Sequence, residues 1–169
     1  DLYDRGYISG YSDGTMKPDN SITACEALVF LSRFYSLTDD ELAYVCADWG
    51  EISQEYVPTS LKWAYEEVAV CLAAGIISED ELDALDLSKE IPKETLCVFL
   101  VRALGLEREA LELEGIELSF ADAADISESA TGHIAQLVSM GIITGDEQNR
   151  FTPKLGVTRA MAATLVSRG

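Results

Sequence analysis

The sequence is short of basic residues, histidine and long apolar runs, and each shortage weighs against a class of function. Among 169 residues, 12 Lys and Arg stand against 30 Asp and Glu, which gives a net charge of −18 at pH 7. Nucleic acids and anionic membrane surfaces both need a basic face, so binding to either is disfavoured. His133 is the single histidine, which argues against Ser/His/Asp catalysis and multi-histidine metal sites. No apolar run approaches the roughly 20 residues that cross a bilayer.

The cysteines also lack the spacing that is typical of metal-binding or redox pairs. None forms a CxxC pair, and three of the four lie in apolar, helix-like stretches, where unbridged buried thiols are common. A structural role is therefore favoured over metal binding, while a disulfide stays open from sequence alone. The four residues are Cys25, Cys46, Cys71 and Cys97.

The acidic residues give no catalytic pattern. They cluster where first helical turns are expected, and carboxylates there favour the helix dipole. A catalytic carboxylate pair of the glycosidase type is therefore not expected, and with one histidine and no metal-ligand spacing among the cysteines we also expect no metal. Hydrophobic residues make up 48% of the chain and charged residues 25%, which is typical of a folded globular protein of one domain or two small ones.

A short apolar phrase that begins with glycine is present three times. It reads GYISG at 6–10, GIISE at 75–79 and GIITG at 141–145. Sixteen positions after each glycine a second phrase begins, which we call a box: ITACE at 22, IPKET at 91 and VTRAM at 157. Three equal offsets predict three copies of one structural unit.

Each box is predicted to open a helix. Apolar residues in ITACEALVFLSRF and TLCVFLVRALGL recur at three- and four-residue steps. Thr23 and Glu26 form a capping box, Pro92 suits a first helical turn, and Thr158 can cap the third helix.

A second predicted helix precedes the glycine in two of the copies. These helices are LKWAYEEVAVCLAAG and ISESATGHIAQLVSMG, and each ends at a glycine. Gly75 and Gly141 are predicted to be C′ residues, where glycine adopts the left-handed conformation cheaply. Only residues 1–5 precede Gly6, so the first copy lacks this helix, and we expect the natural protein to continue upstream.

The connections between these helices differ from copy to copy. A turn-rich stretch at 6–23 could form a hairpin. Capping boxes at Ser78 with Glu81, and at Thr38 with Glu41, each predict one extra helical turn. EREALELEGIEL is predicted to be an acidic, glycine-broken linker.

These phrases together resemble the S-layer homology motif. The loop YSDGTMKP, the three boxes, Trp63-Ala64-Tyr65 and Phe120-Ala121-Asp122 all match that motif. The resemblance implies a mainly all-α fold, in which three helix-loop-helix units pack as a pseudo-trimer around a central helical bundle. The units would be 1–37, without its first helix, 38–106, with inserted turns, and 107–169, with a linker.

The resemblance also implies a function. Members of the family are noncatalytic modules that attach larger exported proteins to the bacterial cell surface by holding secondary cell-wall polysaccharide, often with a pyruvate ketal on its terminal sugar. No cofactor, nucleic acid or membrane insertion is implied. The alternative is a degenerate module that serves as a protein-interaction or spacer domain in a surface assembly.

The implied site centres on the family's box arginine. The ketal carboxylate would meet a cation beside a helix N-terminus, whose dipole and free N–H groups favour an anion. Arg159 retains the arginine, Lys93 keeps only the charge, and Ala24 loses it. Thr158 and Glu26 match flanking box positions, and Trp63 could stack on a sugar or anchor the packing. The acidic chain would repel an anionic polymer at long range, and the lost box residues act in the same direction, so weak or absent binding stays an open outcome.

Overall fold

The computed structural model describes residues 19–168. This part is mainly α-helical and has no β-sheet, which confirms the predicted fold class. Within it, no helix is both long and apolar enough to cross a membrane. The α-helices are α1 (Ala24–Ser32), α2 (Asp39–Tyr56), α3 (Tyr65–Ala73), α4 (Glu79–Ala84), α5 (Lys93–Ala103), α6 (Glu107–Leu111), α7 (Glu128–Ser139) and α8 (Arg159–Arg168), and 3₁₀ helices span Thr59–Ala64 and Ala123–Asp125.

The predicted capping boxes begin three of these helices. In each capping box the N-cap hydroxyl accepts the N–H of the third helical residue, and the glutamate side chain at that position accepts the N–H of the N-cap residue. This pairing satisfies two backbone donors that a helix start otherwise leaves without partners. The three pairs are Thr23 with Glu26, Thr38 with Glu41, and Ser78 with Glu81.

The prediction of a single extra turn after Thr38 is wrong, because α2 runs for 18 residues. No proline interrupts this stretch before Pro58, and the chain leaves the helix at Val57. The helix packs on α3, and the Ser53 hydroxyl donates to the Tyr65 carbonyl at 2.7 Å. The prediction at Ser78 is correct, since α4 has only six residues.

Two other predicted segments differ from the structure. LKWAYEEVAVCLAAG begins as the 3₁₀ helix, which includes Trp63, and becomes α-helical only at Tyr65. The acidic linker EREALELEGIEL is helical over its first five residues, since it contains α6.

The glycine stops are confirmed. Gly75 has a φ of +70° and Gly141 a φ of +71°. At the first stop the Gly75 N–H donates to Leu72 and the Ile76 N–H to Cys71, which is the Schellman arrangement. The same pattern ends α5 at Gly105, with a φ of +73°, a stop that the repeat did not predict.

Residues 23–90 pack as one unit, which we call unit 1. In its core α3 packs against both α1 and α2, and every residue of α1 except Glu26 is buried. The apolar pair after the glycine stop, Ile76 and Ile77, is also buried. The repeated phrase therefore joins two helices and fixes their connection to the core.

Residues 19–22 and 91–168 pack as a second unit, unit 2. Its core forms where α7 packs on α5 and α6. Ile142 and Ile143, the apolar pair of the third phrase, are buried here, as is Phe151. The predicted hairpin lies mostly outside the described residues, and the three-motif division and its pseudo-trimer stay predictions.

Candidate functional site

Thr158 and Arg159 form the start of α8. The Thr158 hydroxyl accepts the N–H of Met161 at 3.2 Å, which confirms the predicted cap. The Arg159 N–H donates to the Asn20 carbonyl at 2.9 Å, and Ser21 pairs with Thr158 as an isolated bridge. The side chain of Arg159 is half-buried at this helix start. The segment that precedes the first box thus fixes the backbone of the third.

The second box has the same backbone pattern. The Lys93 N–H donates to the Leu155 carbonyl at 2.9 Å, and the Glu94 N–H donates to Pro153 at 3.0 Å. Pro92 is the N-cap residue of α5, one position before the predicted first turn. The first two amides of this helix therefore already have acceptors.

At the first box, the first three backbone N–H groups of α1 all have acceptors. Ala24 donates to the Lys89 carbonyl at 2.8 Å, Cys25 donates to Leu87 at 3.0 Å, and the N–H of Glu26 donates to the Thr23 hydroxyl at 3.1 Å. The expectation that these helix starts offer free N–H groups to an anion is therefore wrong for α1 and for the first two amides of α5. An anion would depend on side-chain cations and the helix dipole.

The ammonium of Lys93 is directed to its own unit. Its Nζ donates to the Phe151 carbonyl at 2.9 Å and lies 4.6 Å from the centre of the Phe151 ring. Burial lowers the pKa of Lys93, while the charges of Cys97, Asp122 and Asp146 act in the opposite direction. Lys93 is thus a half-buried cation with one donor already committed.

Asp122 holds the loop that carries Phe151. Its Oδ1 accepts the Phe151 N–H at 2.7 Å, and its Oδ2 accepts the Thr152 N–H at 2.8 Å. Burial alone would raise the pKa of Asp122, but these backbone donors outweigh it and lower the pKa below its ordinary value. The sequence signal for this residue was the match of Phe120-Ala121-Asp122 to the family motif, which implied no role for Asp122.

Glu94 forms a second polar cluster that the sequence did not predict. Its carboxylate accepts the Ser127 N–H at 3.0 Å and the Ser127 hydroxyl at 2.8 Å, and it also pairs with the ammonium of Lys154. Burial raises the pKa of Glu94, but the bonds from Lys154 and Ser127 outweigh this and lower it overall. This cluster joins the start of α5 to the start of α7.

The remaining predicted site residues lie in unit 1. Trp63 is 55% exposed, so over half of the residue's surface is accessible to a ligand. The Glu26 carboxylate accepts the Thr23 N–H at 3.1 Å, so it acts as a helix cap. By contrast, the other three predicted site residues lie in unit 2. Thr158 and Arg159 are neighbours at the start of α8, and Lys93 begins α5.

Residues 23–90 and residues 91–169 differ strongly in charge. Residues 23–90 contain 15 acidic and 3 basic side chains, a net charge of −12. Residues 91–169 contain 11 acidic and 7 basic side chains, a net charge of −4. The box without a cation therefore begins a helix of the strongly acidic part, whereas Arg159 and Lys93 belong to the part with more cations.

The cysteines and carboxylates of residues 19–168 form no metal-binding cluster. All four cysteines are unbridged, and burial raises the pKa of Cys25 and of Cys97 to about 12, as expected of unreactive thiols. No group of three or more His, Cys, Asp and Glu side chains in this part is arranged to hold a metal ion.

Comparison with known proteins shows that two segments of the sequence resemble a known family. A sequence profile of the S-layer homology domain matches residues 1–23 and 119–163. The second match includes Asp122, the loop at Phe151, and the pair Thr158 and Arg159.

Three relatives show the context in which similar sequences are found. An endoglucanase of Bacillus sp. strain KSM-635 is 25% identical over 167 residues, which cover 99% of this chain and 17% of that protein. An amylopullulanase of Thermoanaerobacterium thermosulfurigenes is 26% identical over 98% of this chain and 8% of its own length. The S-layer protein EA1 of Bacillus anthracis is 25% identical over 98% of this chain and 18% of its own length. The chain therefore spans less than a fifth of each relative.

Proposed function

Because the chain carries S-layer homology sequence, we propose that it is a noncatalytic module that attaches a larger exported protein to the bacterial cell surface. The relatives support this proposal, since S-layer proteins and long enzymes share a region similar to this chain. The chain covers only 17% of the endoglucanase and 8% of the amylopullulanase, so most of each enzyme lies outside the shared region.

The proposed ligand is secondary cell-wall polysaccharide with a pyruvate ketal. The observation that carries this proposal is Arg159, which follows the capping Thr158 as the first residue of α8 within the matched segment. The guanidinium can pair with the ketal carboxylate through two parallel hydrogen bonds, and the helix dipole adds to the attraction. Neither interaction requires a vacant backbone N–H.

The other predicted residues would have smaller roles. Lys93 contributes positive charge, although its ammonium also serves the Phe151 carbonyl. Trp63 offers an exposed ring on which a sugar face can stack. Glu26 would act indirectly, because its carboxylate caps α1.

The net charge of −18 opposes an anionic polymer only at long range. A Debye length of about 8 Å at physiological salt screens distant carboxylates, so a local cation can dominate. The smaller net charge of residues 91–169 favours Arg159 for the same reason.

Sedimentation with purified wall sacculi tests the proposal. The chain is mixed with sacculi before and after removal of the secondary polymer. Cosedimentation with untreated sacculi, and its loss after polymer removal, would support the proposed function. Equal sedimentation with both preparations, or none with either, would contradict polysaccharide attachment.

Helix α2 favours a second candidate function, a protein-interaction or spacer domain. Of its 18 residues, all within the described part, only Ser53 is buried, and Tyr44 is 76% exposed. Helix α2 contains no basic residue, so a protein partner should be basic. NMR titration with an amphipathic Leu/Lys peptide, and with a Leu/Glu control peptide, tests this function. Shifts confined to α2 with the basic peptide alone would support the protein-interaction role, and no shifts would contradict that role.

A further inference from the structure

The turn at 149–152 has an unusual backbone for its sequence. Thr152 has a φ of +58° and Asn149 a φ of +55°. Asparagine enters this left-handed region with modest cost, but a β-branched threonine there is a clear outlier. Such a conformation persists only where the surrounding structure imposes it.

The segment 119–122 supplies that support from one side. Asn149 donates its side-chain amide to the Ser119 carbonyl at 2.6 Å, and the Ala121 N–H donates to the Asn149 carbonyl at 2.8 Å. The Asp122 carboxylate then accepts two successive N–H groups, those of Phe151 and Thr152. One carboxylate therefore fixes the orientation of both peptide groups.

The Phe151 carbonyl links this turn to the second box. It accepts the Lys93 ammonium at 2.9 Å and the Thr152 hydroxyl at 2.6 Å. The Phe151 ring is buried against Phe120, with ring centres 5.4 Å apart, and it also lies under the Lys93 ammonium. A rotation of the turn would therefore displace both groups that hold this cation.

We propose that Asp122 is a positioning residue for the second box: it holds Phe151 and Thr152 in the strained turn and thereby places the Lys93 ammonium. The charge of Asp122 also partly offsets the cost of burying that cation. The relevance of this arrangement to polysaccharide binding rests on the proposed function. The positioning itself can be measured without a ligand.

The test compares Asp122→Asn with Asp125→Asn, which removes the same charge from an exposed carboxylate in the neighbouring 3₁₀ helix. Amide hydrogen exchange is followed at Phe151 and Thr152, with the Leu137 amide in the core of α7 as the reference. Loss of a charge-assisted acceptor should speed exchange at the two turn amides roughly 10- to 100-fold in Asp122→Asn. The Leu137 amide should not change, and Asp125→Asn should resemble the wild type.

Titration of the lysine ε-carbons by NMR gives a readout that loosening of the turn alone would not produce. Asp122→Asn should shift the Lys93 titration to lower pH, because the variant lacks the carboxylate charge that favours the ammonium. An unchanged Lys93 titration would overturn the proposal, as would turn amides that keep wild-type exchange. Equal acceleration at Leu137 would also overturn it, because Asp122 would then act on the stability of the whole unit.

The wild-type protein offers a second measurement if Asp122→Asn does not fold. The amide protons of Phe151 and Thr152 should shift together as Asp122 titrates, at a pH below the ordinary aspartate range. Absence of a shared transition would overturn the proposal. Failure of wild-type protein to bind the polymer would contradict the proposed function alone, because neither NMR measurement uses a ligand.

Discussion

Glu94 and Ser127 lie 33 residues apart in the sequence, yet the Glu94 carboxylate accepts both the N–H of Ser127 at 3.0 Å and its hydroxyl at 2.8 Å. The Ser127 side chain is therefore not used as a local cap of α7. The Glu94 side chain is only 10% exposed and also pairs with Lys154. One buried carboxylate thus holds two helix starts together.

This cluster predicts a loss of stability in acid. The folded pKa of Glu94 lies below its unfolded value of about 4.3, so its contribution is present above about pH 5. The contribution is lost as the pH falls through 4.3 towards the folded pKa. We expect Glu94→Gln to reduce the free energy of unfolding by about 1–3 kcal/mol at pH 7.

Urea denaturation between pH 7 and pH 3 measures this effect. The difference between wild type and Glu94→Gln should shrink as the pH falls. The control is Glu128→Gln, which changes an exposed carboxylate at the start of α7. A constant difference across the pH range would show that Glu94 does not act through its charge.

The glycine stop after α7 predicts a specific cost for a side chain. Gly141→Ala should lower the free energy of unfolding by about 1–2 kcal/mol, because φ is +71° although no atom blocks a Cβ there. Gly50→Ala is the matched control, since Gly50 lies inside α2 and its added Cβ would contact only the Cβ of Cys46, at 3.8 Å. That change should stabilise the protein by about 0.5–1 kcal/mol. Thermal unfolding that ranks the two variants in the opposite order would contradict the assignment of the stop.

Gly132, which lies in α7 of unit 2, predicts a steric cost for an added side chain. A Cβ at this position would lie 2.2 Å from the Ala110 carbonyl oxygen, so α6 would have to move away from α7. The displacement would also break the 2.8 Å contact between His133 Nε2 and Glu107. We expect Gly132→Ala to destabilise the protein by at least about 1–3 kcal/mol.

Chemical denaturation of Gly132→Ala and of Ser129→Ala, an exposed change in the same helix, distinguishes packing from helix propensity. Ser129→Ala should remain within about 0.5 kcal/mol of the wild type. If Gly132→Ala were as stable as Ser129→Ala, the close approach of α6 to α7 would be disproved.

The local features of the fold were predictable because their chemistry lies within a few residues. The capping pair of Thr23 and Glu26 and the stop at Gly75 each depend on one helix end, and both were predicted correctly. The length of α2 was not, because a capping box marks only where a helix begins. Its continuation past Gly50 is accompanied by packing on α3, which no local pattern contains.

The candidate site was predictable in position but not in detail. The equal offsets located Arg159 and Lys93, since both are first residues of repeated helices. The direction of the Lys93 side chain depends on Phe151, which lies 58 residues away. The backbone acceptors that occupy the helix starts, such as Asn20 for Arg159, are also distant in sequence. Long-range hydrogen bonds of this kind leave no periodic or local signal.

The most direct test of the account is calorimetric binding of isolated secondary polymer to wild type, Arg159→Ala and Arg159→Lys, with the pyruvate ketal intact and after its removal. Arg108→Ala, which removes an 82% exposed arginine, is the control for net charge. We predict that Arg159→Ala binds the intact polymer roughly 10- to 100-fold more weakly than the wild type. Arg159→Lys should retain part of the affinity, and ketal removal should abolish the differences among the Arg159 variants and wild type. Wild-type affinity in Arg159→Ala, or an equal loss in Arg108→Ala, would contradict a ketal site at Arg159.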